Sequence, residues 1–203
     1  MFGSPQAQIA HEPPATLAPR LFPAVVESLR ERGAATVLDL GGASGGTVLL
    51  FAGCRCRLVF ADLLSESGGK AAGFAPDAIA ARVSEVVSSG AGGRPVDAVL
   101  FWNLVNYLEP AALTALMQRL TPQLSRGALL HLLVEYTATR IPDPAPRLVP
   151  LSPDELRVDV PGPGTRPSPG YTPGDVQRFM GTLWAEKTVL LGNGMQEFLF
   201  RKP

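Results

Sequence analysis

The stretch Thr36 to Thr47, T-V-L-D-L-G-G-A-S-G-G-T, constrains this chain more than any other. Val37, Leu38 and Leu40 make a short apolar run of the kind a parallel strand buried on both faces requires, and glycine stops it at Gly41. Side chains disappear where the strand ends. A ligand can then approach the backbone, and the N–H groups opening the next helix favour a polar or anionic group. The following strand, Leu58 to Ala61, runs into Asp62, a carboxylate placed to accept hydrogen bonds from ribose hydroxyls. Strand, glycine turn, a crossover helix of about two turns over 46–52, strand and acid together predict a nucleoside-binding βαβ unit; the alternative is a tight turn that binds nothing.

Two cofactor classes share this layout. As the dinucleotide fingerprint G-x-G-x-x-G/A, the loop offers Gly41, Ala43 and Gly46, with alanine where close approach to a pyrophosphate wants glycine. Read the other way, it resembles motif I of the class I S-adenosylmethionine-dependent methyltransferases, an acidic strand residue followed by G-x-G-x-G, here Asp39, Gly41, Ala43 and Gly45. The middle glycine is again replaced by Ala43. Asp39, which the dinucleotide pattern does not ask for, favours the second reading, as does the end of the chain.

The flanking sequence supplies the remaining elements. Residues 1–20 are polar and proline-rich without a period, which predicts a flexible arm or a lid, whereas Leu21 to Arg32 repeats apolar residues at helical spacing. A helix is also expected from Pro76 to Ser88, with Ile79, Val83, Val86 and Val87 on one face. No strand is evident between Asp62 and that helix. Pro95 to Trp102 reads as a buried strand ending in Asn103. Leu113, Leu116, Met117, Leu120 and Leu124 mark a helix begun by Pro110 and closed by Gly127, and Ala128 to Glu135 is the next strand. Residues 141–173 form a long stretch rich in proline and glycine, expected to be a substrate-shaping loop or a disordered insert. Thr172, Pro173 and Asp175 open a last helix, and Glu186 to Leu191 with Gln196 to Arg201 close the chain as a hairpin.

A last helix followed by a strand pair, the final one antiparallel, is similar to the ending of the class I methyltransferase sheet, and the segment L-F-W-N-L-V-N-Y-L-E-P is similar to its fourth strand and the turn beyond. The resemblance implies a single α/β domain over 21–203, Rossmann-like and doubly wound, with a mostly parallel sheet and a C-terminal antiparallel hairpin strand; the third strand that the family has is missing from this sequence, which departs from the pattern there. It also implies S-adenosylmethionine as cofactor. Asp39 would orient the loop and the amino acid end of that cofactor, Gly41, Gly42, Ala43 and Gly45 would admit it, Asp62 with Leu63 would hold the ribose, and Trp102 and Asn103 would complete the site. Ser84 or Glu85 would reach the adenine only if their segment were not helical. Asn103 is the candidate catalytic residue, with a polar cap between strand and helix as its alternative role. Tyr107, Glu135, Tyr136 and Tyr171 are substrate candidates, joined by Arg147, Arg157 and Arg166 in the long loop.

Composition narrows the partners. Lysine plus arginine equals aspartate plus glutamate at 18 each, so nothing predicts electrostatic capture of nucleic acid or of an anionic membrane. No run approaches the length of a membrane span, which predicts a cytoplasmic protein. Cys54 and Cys56, one residue apart, are expected as reduced thiols with no metal role, and His131 as a core histidine. The predicted activity is methyl transfer to a small-molecule or protein acceptor. A non-catalytic module that binds the cofactor or nucleotide, or docks a partner, is the alternative, and a nicotinamide-dependent oxidoreductase is a third.

Overall fold

A computed structural model describes residues 15–63 and 75–203. In chain order these form β1 (Thr16–Leu17), α1 (Phe22–Glu31), β2 (Ala35–Asp39), α2 (Gly45–Phe51), β3 (Cys56–Phe60), α3 (Pro76–Gly90) and β4 (Val96–Trp102). A 3-10 turn (Leu104–Tyr107) leads to α4 (Pro110–Leu120) and β5 (Leu124–Glu135). Then come β6 (Arg140–Pro142), β7 (Arg147–Ser152), β8 (Glu155–Asp159), β9 (Thr165–Pro167), α5 (Pro173–Met180), β10 (Trp184–Leu190) and β11 (Met195–Arg201).

The central sheet has the order β10-β11-β5-β4-β2-β3. β3, β2, β4 and β5 are parallel, and β11 lies antiparallel between β5 and β10. This is the Rossmann-like architecture with the antiparallel closing hairpin that the sequence predicts. Successive strand residues turn to opposite faces, and both faces are covered. Leu38, Leu40, Val99, Phe101, Leu130 and Leu132 pack with α3, α4 and α5. Val37, Leu100, Leu129 and Leu133 pack with α1 and Phe51 of α2. Both layers being apolar, the centres of the parallel strands are mainly hydrophobic.

Proline sits in the first turn of α1, α3, α4 and α5, where its missing N–H costs no helical hydrogen bond. Thr172 and Asp175 form a reciprocal capping box at α5. Two boundaries differ from expectation. The α4 helix stops at Leu120 because Pro122 cannot continue it, so Leu124 opens β5 instead of ending the helix. The greater difference lies in 141–173, which carries short strands: β8 pairs with both β1 and β7 in a small antiparallel sheet, and β6 pairs with β9. Short strands punctuated by proline and glycine carry no period long enough to register in sequence.

Among the described residues the parallel end of the sheet stops at β3. The irregular segment following Leu63 falls in 64–74, outside the described residues. Ser84 and Glu85 lie within α3, so neither takes a strand-end position. No helix of the described residues is long and apolar enough to cross a membrane.

Candidate functional site

The four parallel strands point their C-terminal ends the same way, and the opposite end is tied shut. There, Asp97 accepts hydrogen bonds from Arg32, Ser125 and the Thr36 amide. Ligands of open α/β sheets bind at the carboxyl end, and here that edge carries the glycine loop.

At the end of β2, Asp39 is almost wholly buried. Its Oδ1 accepts from the Gly41 amide at 2.9 Å and from Trp102 Nε1 at 2.7 Å, while Oδ2 accepts from Thr47 Oγ1 at 3.4 Å. Burial pushes its pKa up to about 6 against the pull of those donors and of the nearby Arg147 charge. Ser44 caps α2, its Oγ accepting from the Thr47 amide at 3.0 Å.

Across the loop, Asp62 follows β3 with φ +45°, and its carboxylate lies against Gly42, where an added Cβ would stand 3.1 Å from Oδ1. Trp102 ends β4 with φ +52°. Among the described residues these two alone occupy the left-handed region without being glycine, and for a tryptophan that costs about 1–3 kcal/mol. A register shift between β4 and β5 over Leu100 and Trp102 re-aims the indole toward Asp39. The strain buys the Trp102–Asp39 contact.

A cavity of about 80 Å³ lies between these groups, lined by Gly41, Gly42, Asp62, Trp102 and Asn103, and closed by Ala145, Pro146, Arg147 and Leu148. Those four residues form a strap. Asn103 Nδ2 donates to the Pro146 carbonyl at 2.9 Å. Arg147 Nη2 donates to the Gly42 carbonyl at 3.2 Å and to that of Ala43. A drug-sized ligand needs roughly 300 Å³ or more, so a nucleoside enters only if the strap moves.

The structure therefore gathers Asp39, Gly41, Gly42, Asp62, Trp102 and Asn103 at one point. Ala43 and Gly45 line a separate cavity on the outer side of the loop. Leu63 is buried in the core, its amide donating to the Leu40 carbonyl. The substrate candidates scatter. Tyr107 is buried and its hydroxyl donates to the Pro142 carbonyl at 3.0 Å, while Tyr171 packs edge-on against Phe179 and donates to the Leu108 carbonyl. Both brace the fold, and burial raises both phenol pKa values, Tyr171 to about 12. Glu135 is half-buried with its pKa raised by burial, and Tyr136 is exposed. Arg157 pairs with Asp159, and Arg166 lies on β9.

Three residues escaped sequence reasoning in their actual roles. Asn106, fully buried, donates to the carbonyls of Asn103 and Leu133 and accepts from the Glu135 amide, tying the turn after β4 to the end of β5. Arg147 grips the glycine loop. Glu197 accepts from the amides of Arg20 and Phe22 and meets His131 Nε2 at 2.6 Å, both side chains fully buried. A polar residue within an apolar strand was the available signal for Glu197, and its partners lie too far away in sequence to be read from it. Cys54 and Cys56 are free thiols.

No family model and no curated protein matches the chain. Its fold is similar to that of Burkholderia thailandensis 1,6-didemethyltoxoflavin-N1-methyltransferase, solved with bound 1,6-didemethyltoxoflavin and S-adenosylhomocysteine: TM-score 0.51, 16% identity, over 90% of this chain and 77% of that one. It is also similar to the glycopeptide N-methyltransferase MtfA, solved with S-adenosylmethionine: TM-score 0.50, 12% identity, over 89% of this chain and 87% of that one. At such identities the likeness is one of fold.

Proposed function

We propose that this chain binds S-adenosylmethionine at the glycine loop and transfers its methyl group to a small-molecule acceptor. The observation that carries the reading is one cavity at the glycine loop: the Asp62 carboxylate lines it against Gly42, while Asp39, buried beneath, fixes the loop and the Trp102 indole that also line it. Of the two structural relatives named above, one is a methyltransferase of 1,6-didemethyltoxoflavin and the other of a glycopeptide, and both were solved with a sulfur nucleoside.

The residues present suit that cofactor. Asp62 accepts from ribose hydroxyls, Gly41 and Gly42 let the backbone come close, and Asp39 orients the loop that receives the amino acid end. When bound, the sulfonium supplies an activated methyl group with a neutral leaving group, so a site without a strong general base suffices. The chain's task is then alignment of the methyl group with its acceptor once the strap over Gly42 has lifted. Asn103, its amide already on Pro146, serves the strap in this arrangement.

A second reading is a module without transfer, and the small volume left beneath the strap favours the form that docks a partner over the form that holds the cofactor. Calorimetric titration of S-adenosylmethionine, S-adenosylhomocysteine and NAD into wild type and Asp62→Ala tests the proposal. Micromolar binding of the two sulfur nucleosides, weakened about tenfold or more in the variant, is expected. Absence of binding by either removes both cofactor readings and leaves a scaffold.

A further inference from the structure

On the outer side of the glycine loop, away from Asp62 and Trp102, lies a larger open cavity of about 770 Å³. Its walls come from three places. The glycine loop and α2 give residues 43–46 with Leu49 and Leu50, the end of α1 gives Arg30, and the β7–β8 hairpin gives the rest. The hairpin is held hard against the helix, because a Cβ at Gly46 would collide with the Pro150 carbonyl oxygen.

Two features of the lining point to one ligand chemistry. Three arginines, Arg30, Arg147 and Arg157, face a single aspartate, Asp159. That aspartate is already engaged, Arg157 gripping it through Nε at 2.7 Å and Nη2 at 3.0 Å, and the arginine holds its carboxyl below the usual range. A net positive wall remains. Alongside it, Leu49 is 77% exposed and Leu151 52% exposed, with Val149 and Leu50 beneath. Large aliphatic side chains left in water beside arginines suit a ligand with a charged head and an apolar body. The volume falls within the range of small-molecule pockets.

We propose that this cavity is a second ligand site, separate from the glycine-loop cavity, for a small amphiphilic carboxylate. The arginines take the carboxylate through charge-assisted hydrogen bonds, and Leu49 and Leu151 cover the hydrocarbon part. The site does not depend on the nucleoside reading. Arg147 lines both cavities, so its guanidinium is the wall between them.

Calorimetric titration of octanoate, acetate and octylammonium into the full chain tests this. Octanoate is expected to saturate below roughly 1 mM, acetate to bind at least about tenfold more weakly, and octylammonium not to saturate. Arg30→Ala and Leu49→Asp, both at exposed positions, are each expected to weaken octanoate about tenfold while leaving the melting temperature unchanged. Octanoate that does not saturate, octylammonium that binds equally well, or variants that bind octanoate like wild type would each overturn the proposal.

Discussion

Trp102 Nε1 donates to Asp39 Oδ1 across 2.7 Å, joining the ends of β4 and β2 beneath the glycine loop. The same oxygen accepts the Gly41 amide, so one buried carboxylate fixes both the loop and the indole. That carboxylate has a measurable signature in pH. Its folded pKa of about 6 lies above the ordinary 3.8, so the folded state binds the proton more tightly than the unfolded chain does. The stability Asp39 contributes is fully present below pH 3.8 and is lost as pH rises through about 6. Asn at this position keeps an acceptor for Gly41 and Trp102 without the charge. Urea unfolding is expected to show Asp39→Asn gaining on wild type between pH 4 and pH 7, by a difference on the order of 3 kcal/mol. A constant offset across that range would contradict the assignment.

Glu197 has the opposite sign. Burial opposes its ionisation, but hydrogen bonds and charge from His131, with the backbone amides at the start of α1, hold its pKa below the usual carboxylate range. Its contribution is therefore present above the unfolded pKa and lost as pH falls through the folded one. Glu197→Ala leaves a buried histidine and the amides of Arg20 and Phe22 without this acceptor, and is expected to destabilise by about 3–5 kcal/mol at pH 7. Hydrogen exchange at Phe22 to Leu29 checks that the loss begins at α1.

Two neighbouring glycines divide cleanly. Alanine at Gly46 meets the Pro150 carbonyl and Val149 Cγ1, so β7 must move and about 1–3 kcal/mol is lost. Alanine at Gly45 meets nothing within 4 Å and should be neutral or stabilise by up to about 1 kcal/mol. Thermal melts of the two variants, compared under one condition, check the pair.

Arg147 latches the strap to the carbonyls of Gly42 and Ala43. Removing the latch in Arg147→Ala raises the population of open strap, and S-adenosylhomocysteine is expected to bind about three- to tenfold more tightly. Weaker binding in the variant would mean that the guanidinium holds the ligand and not the strap.

How much of this was legible in sequence follows from what each residue touches. β2, its glycine turn and Asp62 lie within one short stretch and carry a periodicity and a spacing, so the parallel βαβ unit and the acid at its second strand end could be anticipated. The closing hairpin announced itself in the same way, through two alternating runs about one turn apart. The strap could not be read. Its register depends on β1 meeting β8, about 140 residues away, and on Arg147 reaching back to the loop. Tyr107 and Tyr171 looked available because a tyrosine near a strand end reads alike whether its hydroxyl faces a pocket or a backbone carbonyl.

The central claim is a nucleoside site at Gly41, Gly42 and Asp62 that opens when the strap lifts. Amide hydrogen exchange measured with and without S-adenosylhomocysteine addresses it most directly. The account predicts slower exchange across Gly41 to Thr47 together with faster exchange at Arg147, Leu148 and Val149. Unchanged exchange in both segments at saturating ligand, or protection confined to other parts of the chain, would contradict it.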